Sequence, residues 1–284
     1  MTDRTAPPAA PGGVWDPGQY LRYARDRGRP FDDLVARIPD LPGARPRITD
    51  IGCGPGTTTA ALLRRWPNAR VTGIDNSAEM LKAAEALAGP APEGSGSLDF
   101  ALADATAWAP REPHDLIISS AVLHWIPGHQ DFFPAWIEGL VPGGTFAFQV
   151  PGNFGAPNHT LLREVAARPR WRDRIGHLAR ERAPVADPAE YLERLTALGC
   201  SADVWETTYL HVLHGENAVL EWVKGTALRP VLAALEDPGE REDFLAEYGA
   251  LLRDAYPEGP AGTVFPFRRI FAVATKAATA EGRP

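Results

Sequence analysis

The chain has 284 residues, enough for one large domain, or a domain with a substantial insertion, around a sizeable core. Apolar residues make up 44% and charged residues 23%, an ordinary globular balance, and the net charge of −7 argues against a general nucleic-acid partner, which needs a basic face. Two cysteines, Cys53 and Cys200, are too few for a disulfide framework, and no apolar run approaches the roughly 20 residues that span a bilayer.

Residues 1–14 are rich in Pro and Ala without an apolar segment, which predicts a disordered tail rather than a signal peptide and a cytoplasmic protein. Residues 15–45 follow, where Tyr20, Tyr23 and Arg27 at i, i+3 and i+7 predict one face of an amphipathic helix. Residues 46–150 alternate strand and helix patterns. Arg47–Cys53 reads as the first strand, Thr57–Trp66 as a helix, and Val71–Asp75 as the second strand. Ser77–Ala88 is a helix with Ser77 as its N-cap and Gly89-Pro90 as its stop. Leu98–Leu102 is the third strand. Asp115–Ala121 is a continuous apolar strand of the kind buried on both faces. Asp131–Leu140 is an amphipathic helix, Pro142-Gly143-Gly144 a turn, and Thr145–Val150 the fifth strand. Five strands separated by helices predict a doubly wound parallel sheet.

After Pro151 the rhythm changes. Asn158–Ala167, Pro188–Leu198, Ala218–Leu235 and Arg241–Ala255 read as helices, and Ser201–Leu213 and Arg268–Thr275 as strands.

The chemistry concentrates in Asp50-Ile51-Gly52-Cys53-Gly54-Pro55-Gly56-Thr57, a strand running into alternate glycines. Such glycines let the backbone turn sharply and approach a ligand. With Asp75 closing the next strand, the layout predicts a nucleotide-type cofactor at the carboxyl end of a parallel sheet, Asp75 reaching the ribose hydroxyls. The dinucleotide fingerprint fails because position 57 is Thr and the third glycine comes early, at Gly56. A P-loop fails for want of a Lys after the loop. Asp50 would repel a pyrophosphate and attract an ammonium group.

Asp-x-Gly-x-Gly-x-Gly with an acidic residue ending the next strand resembles the class I S-adenosylmethionine-dependent methyltransferases. That resemblance implies a Rossmann-like, doubly wound, seven-stranded α/β sheet. Its last two strands would be antiparallel additions, with a helical lid inserted after the fifth strand. Residues 15–45 would add an N-terminal lid segment, and residues 151–284 would hold the helical substrate insertion plus those two strands. It implies that Asp50, Gly52, Gly54 and Gly56 hold the methionine end of the cofactor, with Asp75 at the ribose and Cys53 and Asn76 in the same cofactor set. Met80, Asp104 and Ala105 would lie at the adenine. Ser120 belongs to the same cofactor set, and S-adenosylhomocysteine would be the product.

The fourth strand ends in Ser119-Ser120-Ala121-Val122-Leu123-His124-Trp125. Trp125 is a candidate wall of the methyl channel and His124 a candidate general base, though a lone His or Trp at such a place is as often structural. Tyr20-Leu21 with Arg27-x-Arg29-Pro30, Gln149-Val-Pro-Gly-Asn153 with His159, Trp205-x-Thr207-Thr208-Tyr209-x-His211, Glu221-Trp222-Val223 with Leu228-Arg229-Pro230, and Pro266-Phe267-x-Arg269-x-Phe271 narrow the resemblance. Together they look like the trans-aconitate 2-methyltransferase family, over nearly the whole chain. Two departures are a longer N-terminal tail and the Arg-rich segment Ala167–Pro184.

The family implies a small polycarboxylate acceptor and a monomethyl ester product, made by a monomer or weak homodimer. A carboxylate is already ionised at neutral pH, so no base is required. What is required is a cluster that seats an anion. Tyr20, Arg27, Arg29, Asn153, His159, Tyr209, Arg229 and Arg269, with Trp125, are the residues the resemblance points to. Arg is abundant here, since only Lys82, Lys224 and Lys276 among the 29 basic residues are lysines. A single Arg therefore carries little weight by itself. The alternative is a natural-product or phenolic O-methyltransferase of the same fold, for which His124 would matter as a base.

Overall fold

In a computed structural model of the chain, residues 24–178 and 185–278 are described. The expected tail and Tyr20 and Tyr23 lie outside the described residues. Among the rest, Arg25–Asn153 forms one compact unit with residues 185–209 and 267–278, while residues 154–178 and Leu210–Pro266 form a second.

The first unit is built on strands β1 (Arg47–Ile51), β2 (Arg70–Asp75), β3 (Gly89–Pro90), β4 (Ser97–Leu102), β5 (His114–Ser120) and β6 (Leu140–Pro151). It also takes most of β7 (Cys200–Leu213) and β9 (Gly262–Lys276). The order across the sheet is β3-β4-β2-β1-β5-β6-β9-β7, with β8 (Glu258–Gly259) paired to β9 off this path. Seven long strands give the expected doubly wound sheet. The count is nine because Gly89–Pro90, read as a helix stop, pairs antiparallel with β4, and β8 closes a hairpin on β9. Pro90 is tolerated there because β3 is an edge strand.

β1, β2, β4, β5 and β6 run parallel, and β9 pairs antiparallel with β6. From β1 the chain winds outward first through β2 and β4, then on the other side through β5 and β6. The carboxyl end of β1 is therefore the switch point where open α/β sheets bind ligands. Pro142-Gly143-Gly144 lies within β6 rather than before it. Gly143 takes a left-handed φ of 78°, and the β5–β6 register slips between His114 and Leu116 to absorb it.

Alternate residues of the buried strands feed opposite layers. Ile117, Phe146 and Phe148 pack with Phe133 and Trp136 of α4 (Phe133–Glu138) and Tyr191 and Leu195 of α7 (Pro188–Ala197). Leu116, Ile118 and Ala147 face the other layer, with Phe31 and Leu34 of α1 (Ala24–Arg37) and Leu62 of α2 (Thr57–Arg65). Thus α7, expected in the lid, belongs to the sheet unit because Tyr191 and Leu195 are fully buried in its core.

Two other elements are shorter than expected. Ser77 does cap α3 (Ala78–Ala84), accepting from the Met80 amide at 3.3 Å, but residues Glu85–Leu87 tighten into a 3-10 turn. The helix expected over Asp131–Leu140 is a 3-10 turn, His129–Phe132, followed by α4.

The second unit holds α5 (Pro157–Ala166), α6 (Arg172–Ile175), α8 (Ala218–Lys224), α9 (Arg229–Ala234) and α10 (Pro238–Ala255). The single helix expected over Ala218–Leu235 is two, ended by Gly225 and restarted with Pro230 in the first turn. Trp171 packs edge-on to Phe244 at 5.5 Å and donates to Glu247 Oε2 at 2.7 Å. The Arg-rich segment spends its charge structurally: Arg168 pairs with Glu164 and Glu247, Arg170 with Asp243, and Arg174 with Glu240. No described helix is long and apolar enough to cross a membrane.

Candidate active site

The glycine loop leaves β1 at the switch point. The Gly52 and Cys53 amides donate to Ile74 O at 2.8 and 3.0 Å, tying the loop to β2. Gly52 has φ 75°, and a Cβ there would stand 2.2 Å from Val122 Cγ2, so nothing larger fits. Gly54 also has positive φ, but a Cβ there would meet nothing within 4 Å. The loop backbone thus borders open space, as a cradle for a ligand must. Gly56, likewise left-handed, begins α2. The Cys53 thiol is buried, which pushes its pKa well up and makes it an inert packing group.

Asp50 is 1% exposed. Its Oδ2 accepts from Thr59 Oγ1 at 2.6 Å, while Oδ1 has no hydrogen-bond partner among the described residues. Burial raises its pKa to about 6, against the lowering effect of the Thr59 bond, and nearby Asp75 adds to the rise. A buried carboxylate oxygen left unsatisfied is costly unless something fills the place. An ammonium group suits it in charge and donor count.

Asp75 closes β2 as expected and does more than face a ligand. Its Oδ2 accepts from the Gly54 amide and its Oδ1 from the Ser77 amide, each at 2.9 Å. Each carboxylate oxygen retains a second lone pair for a hydroxyl. Asn76 is exposed beside it, and Met80 is half-buried on the first turn of α3. Asp104 is exposed after β4, and its Oδ1 already accepts from the Thr106 amide and hydroxyl at 2.8 Å. Ala105 beside it packs in part against the core.

β5 ends at Ser120, and Ala121 then takes a left-handed φ of 59°. For a non-glycine residue this costs about 1–3 kcal/mol, a strain found where a ligand site dictates the backbone. It swings Val122 over Gly52 and starts the turn Leu123–Trp125. His124 is buried, and Trp125 is 50% exposed with its ring 4.8 Å from the histidine ring. Trp125 is therefore a rim residue and not part of the core.

Four of the residues expected at the acceptor gather around β6, β7 and β9 of the first unit. Asn153, just past β6, is 4% exposed, and neither amide atom has a hydrogen-bond partner among the described residues. Arg269, on β9 opposite Pro151, is 8% exposed, donates to Gln149 Oε1 at 3.0 Å and lies over the Phe267 ring at 4.7 Å. Arg29 lies 5.0 Å over the Tyr209 ring. Tyr209 donates to Asp33 Oδ2 at 2.5 Å. Burial first, then that bond, pushes its pKa well up, opposed by the charges of Arg29 and Arg269. Gln149 and Asp33, which organise this cluster, were not singled out from the sequence as site residues. No local pattern marks a residue whose partner is 120 or 176 positions away.

His159 and Arg229 belong to the second unit. His159 is half-buried on α5 with its ring 5.0 Å from Phe154, and Arg229 is half-buried as the first residue of α9. Arg27 is on α1, with its side chain outside the described residues. Tyr20 lies outside them altogether. Among the described residues no group of three or more His, Cys, Asp or Glu is arranged to hold a metal ion.

A doubly wound sheet with a glycine cradle, an ammonium-ready Asp50 and an acidic β2 terminus defines a class I methyltransferase. The sequence model of the family described as "Methyltransferase domain" matches residues 48–144. The trans-aconitate 2-methyltransferase of Streptomyces avermitilis is 60% identical over 272 residues, covering 96% of this chain and 100% of that protein. The one of Streptomyces coelicolor is 59% identical, covering 95% and 88%, and that of Mycobacterium tuberculosis is 44% identical, covering 92% and 96%. Among solved structures, the YcgJ protein of Bacillus subtilis superposes with a TM-score of 0.54 at 15% identity, covering 89% of this chain and 99% of that one. The cyclase SpnF does so with 0.53 at 17%, covering 94% and 86%. These two likenesses show the fold alone, and a cyclase among them shows that this fold does not fix the chemistry. The chain belongs to the trans-aconitate 2-methyltransferase family and is an S-adenosylmethionine-dependent methyltransferase.

Proposed function

We propose that the chain methylates a carboxylate of trans-aconitate to give its monomethyl ester. The observation that carries this reading is the pair of Arg29, over the Tyr209 ring of β7, and the buried Arg269 of the neighbouring β9, with the unsatisfied Asn153 amide at the end of β6. Guanidiniums and a free amide at strand ends are a set for a multiply charged anion. An acidic chain needs such a local cluster to overcome its own net charge.

S-adenosylmethionine, when bound, supplies an electrophilic methyl on a sulfonium sulfur. Asp50 takes its ammonium, the Gly52–Gly56 backbone lines its methionine end, and Asp75 accepts from its ribose hydroxyls. Met80, Asp104 and Ala105 border the adenine, and Asn76 belongs to the cofactor set beside Asp75. The Thr59 hydroxyl holds Asp50 in place, and Trp125 shields the rim from water. Arg29 and Arg269 neutralise and orient the acceptor, with Asn153 donating to it. His159, Arg229, Arg27 and Tyr20 are the further acceptor candidates that the resemblance implies.

No residue has to remove a proton, because the acceptor oxygen is ionised at neutral pH. The enzyme's task is alignment and exclusion of water. Cys53 and Cys200, both buried and free, suit a reducing cytoplasm. The test is a mass-spectrometric screen with methyl-labelled cofactor against small polycarboxylates and phenols. One labelled methyl on trans-aconitate supports the reading, and label on phenols alone removes it.

A further inference from the structure

Gln149 joins three strands at the carboxyl end of the sheet. It is 1% exposed on β6, beside Ser120 of β5 in register and two residues before the Pro151–Arg269 pair. Its Oε1 accepts from Arg269 Nη1 at 3.0 Å, and its Nε2 donates to Ser120 Oγ at 2.8 Å. The orientation of the amide is forced. A guanidinium can only donate, so Oε1 must face Arg269 and Nε2 must face Ser120. Ser120 Oγ then accepts from Gln149, and its own proton has to go elsewhere. One neutral amide thus occupies an acceptor lone pair of the hydroxyl at the end of β5, leaving its proton for another acceptor, while fixing a buried guanidinium.

We propose that Gln149 is a positioning residue that sets the Ser120 hydroxyl and the Arg269 guanidinium as a two-point clamp on one carboxylate of the acceptor. The inference rests on the carboxylate reading above and gives Ser120 an acceptor role in place of the cofactor role the resemblance implies. It explains why the position suits an amide and not an acid. A glutamate would accept from both neighbours, drawing the Ser120 proton inward and neutralising Arg269, so the hydroxyl donor would be lost to the ligand and the guanidinium would attract it far less.

The test is calorimetric titration of trans-aconitate into the enzyme saturated with S-adenosylhomocysteine, with separate titrations of S-adenosylhomocysteine alone. Gln149→Glu is expected to weaken acceptor binding roughly 100-fold, from the loss of one charge-assisted bond and the weakening of another. Gln149→Met should weaken it about tenfold, and Ser120→Ala by a similar factor. S-adenosylhomocysteine affinity should stay within about threefold in all three, below the cost of one lost hydrogen bond. Ser120→Ala should cost much less in the Gln149→Met background than in wild type, because the two act as one unit.

A merely structural Gln149 would instead lower the Tm and both affinities together. Should Gln149→Glu fail to fold, Gln149→Met and the Ser120 cycle decide. If the Gln149 variants leave acceptor binding within about threefold while Arg269→Ala abolishes it, the clamp is wrong and the carboxylate reading stands. If Arg269→Ala has no effect either, both are wrong. A Ser120→Ala variant that loses S-adenosylhomocysteine and spares the acceptor also overturns the clamp.

Discussion

The Thr59 hydroxyl donates to Asp50 Oδ2 at 2.6 Å, so the more buried of the two loop acids is held by one short bond while its other oxygen waits unpaired. The arrangement stores instability that an ammonium group bound there would relieve. Asp50 has a folded pKa of about 6 against an ordinary 3.8. The folded state keeps that proton longer than the unfolded one, so stability falls as pH rises from about 4 to about 6 and stays lowered above. The full penalty is about 3 kcal/mol.

Asp50→Asn should therefore raise the Tm of the ligand-free protein by a few degrees at pH 8, with the gain shrinking toward pH 5. The same variant should weaken S-adenosylhomocysteine binding about tenfold or more. A ligand-free Tm that is unchanged or lower at pH 8 would refute the unpaired-oxygen account.

Asp75→Ala should weaken S-adenosylhomocysteine binding by roughly tenfold or more, since a lost charge-assisted pair costs about 1.5–3 kcal/mol. Because Asp75 also accepts from the Gly54 and Ser77 amides, the variant should loosen the glycine loop as well. Faster amide exchange at Gly54 would register that. Unchanged affinity by calorimetry would remove Asp75 from the site.

Local features were legible in the sequence because local chemistry sets them. The alternate glycines, Asp75 at the end of β2 and the Ser77 cap are fixed by backbone geometry within a few residues. The break at Gly225 and Pro230 was equally visible in the letters but yielded to the apolar period across Ala218–Leu235. What could not be read is pairing over distance. Apart from the motif Arg27-x-Arg29-Pro30, no local pattern distinguishes Arg29 from Arg170, yet one lies over Tyr209 and the other pairs with Asp243. Gln149 looked like part of a motif, and only the sheet register brings it between Ser120 and Arg269.

His124→Gln should retain substantial turnover with trans-aconitate, because an ionised acceptor needs no base. A fall of about 10²–10⁴-fold, the usual effect of a lost general base, would favour a hydroxyl acceptor. Steady-state rates on the variant with its Tm checked would separate that from a packing loss.

Arg29→Ala and Arg269→Ala should each lower kcat/KM for trans-aconitate by roughly tenfold or more, with cofactor affinity nearly unchanged. Tyr209→Phe keeps the ring under Arg29 and loses the bond to Asp33. It should cost about 1 kcal/mol of stability and much less activity than either arginine. Equal damage from all three would place the importance in packing rather than charge.

The central claim is that methyl goes to a carboxylate, and the fate of the label under alkali tests it most directly. The enzyme is incubated with trans-aconitate and S-adenosylmethionine carrying a labelled methyl, and the product is treated with mild base. The account predicts one labelled methyl per trans-aconitate, released as methanol because it is held as an ester. No label on trans-aconitate, or label that survives alkali, would contradict it.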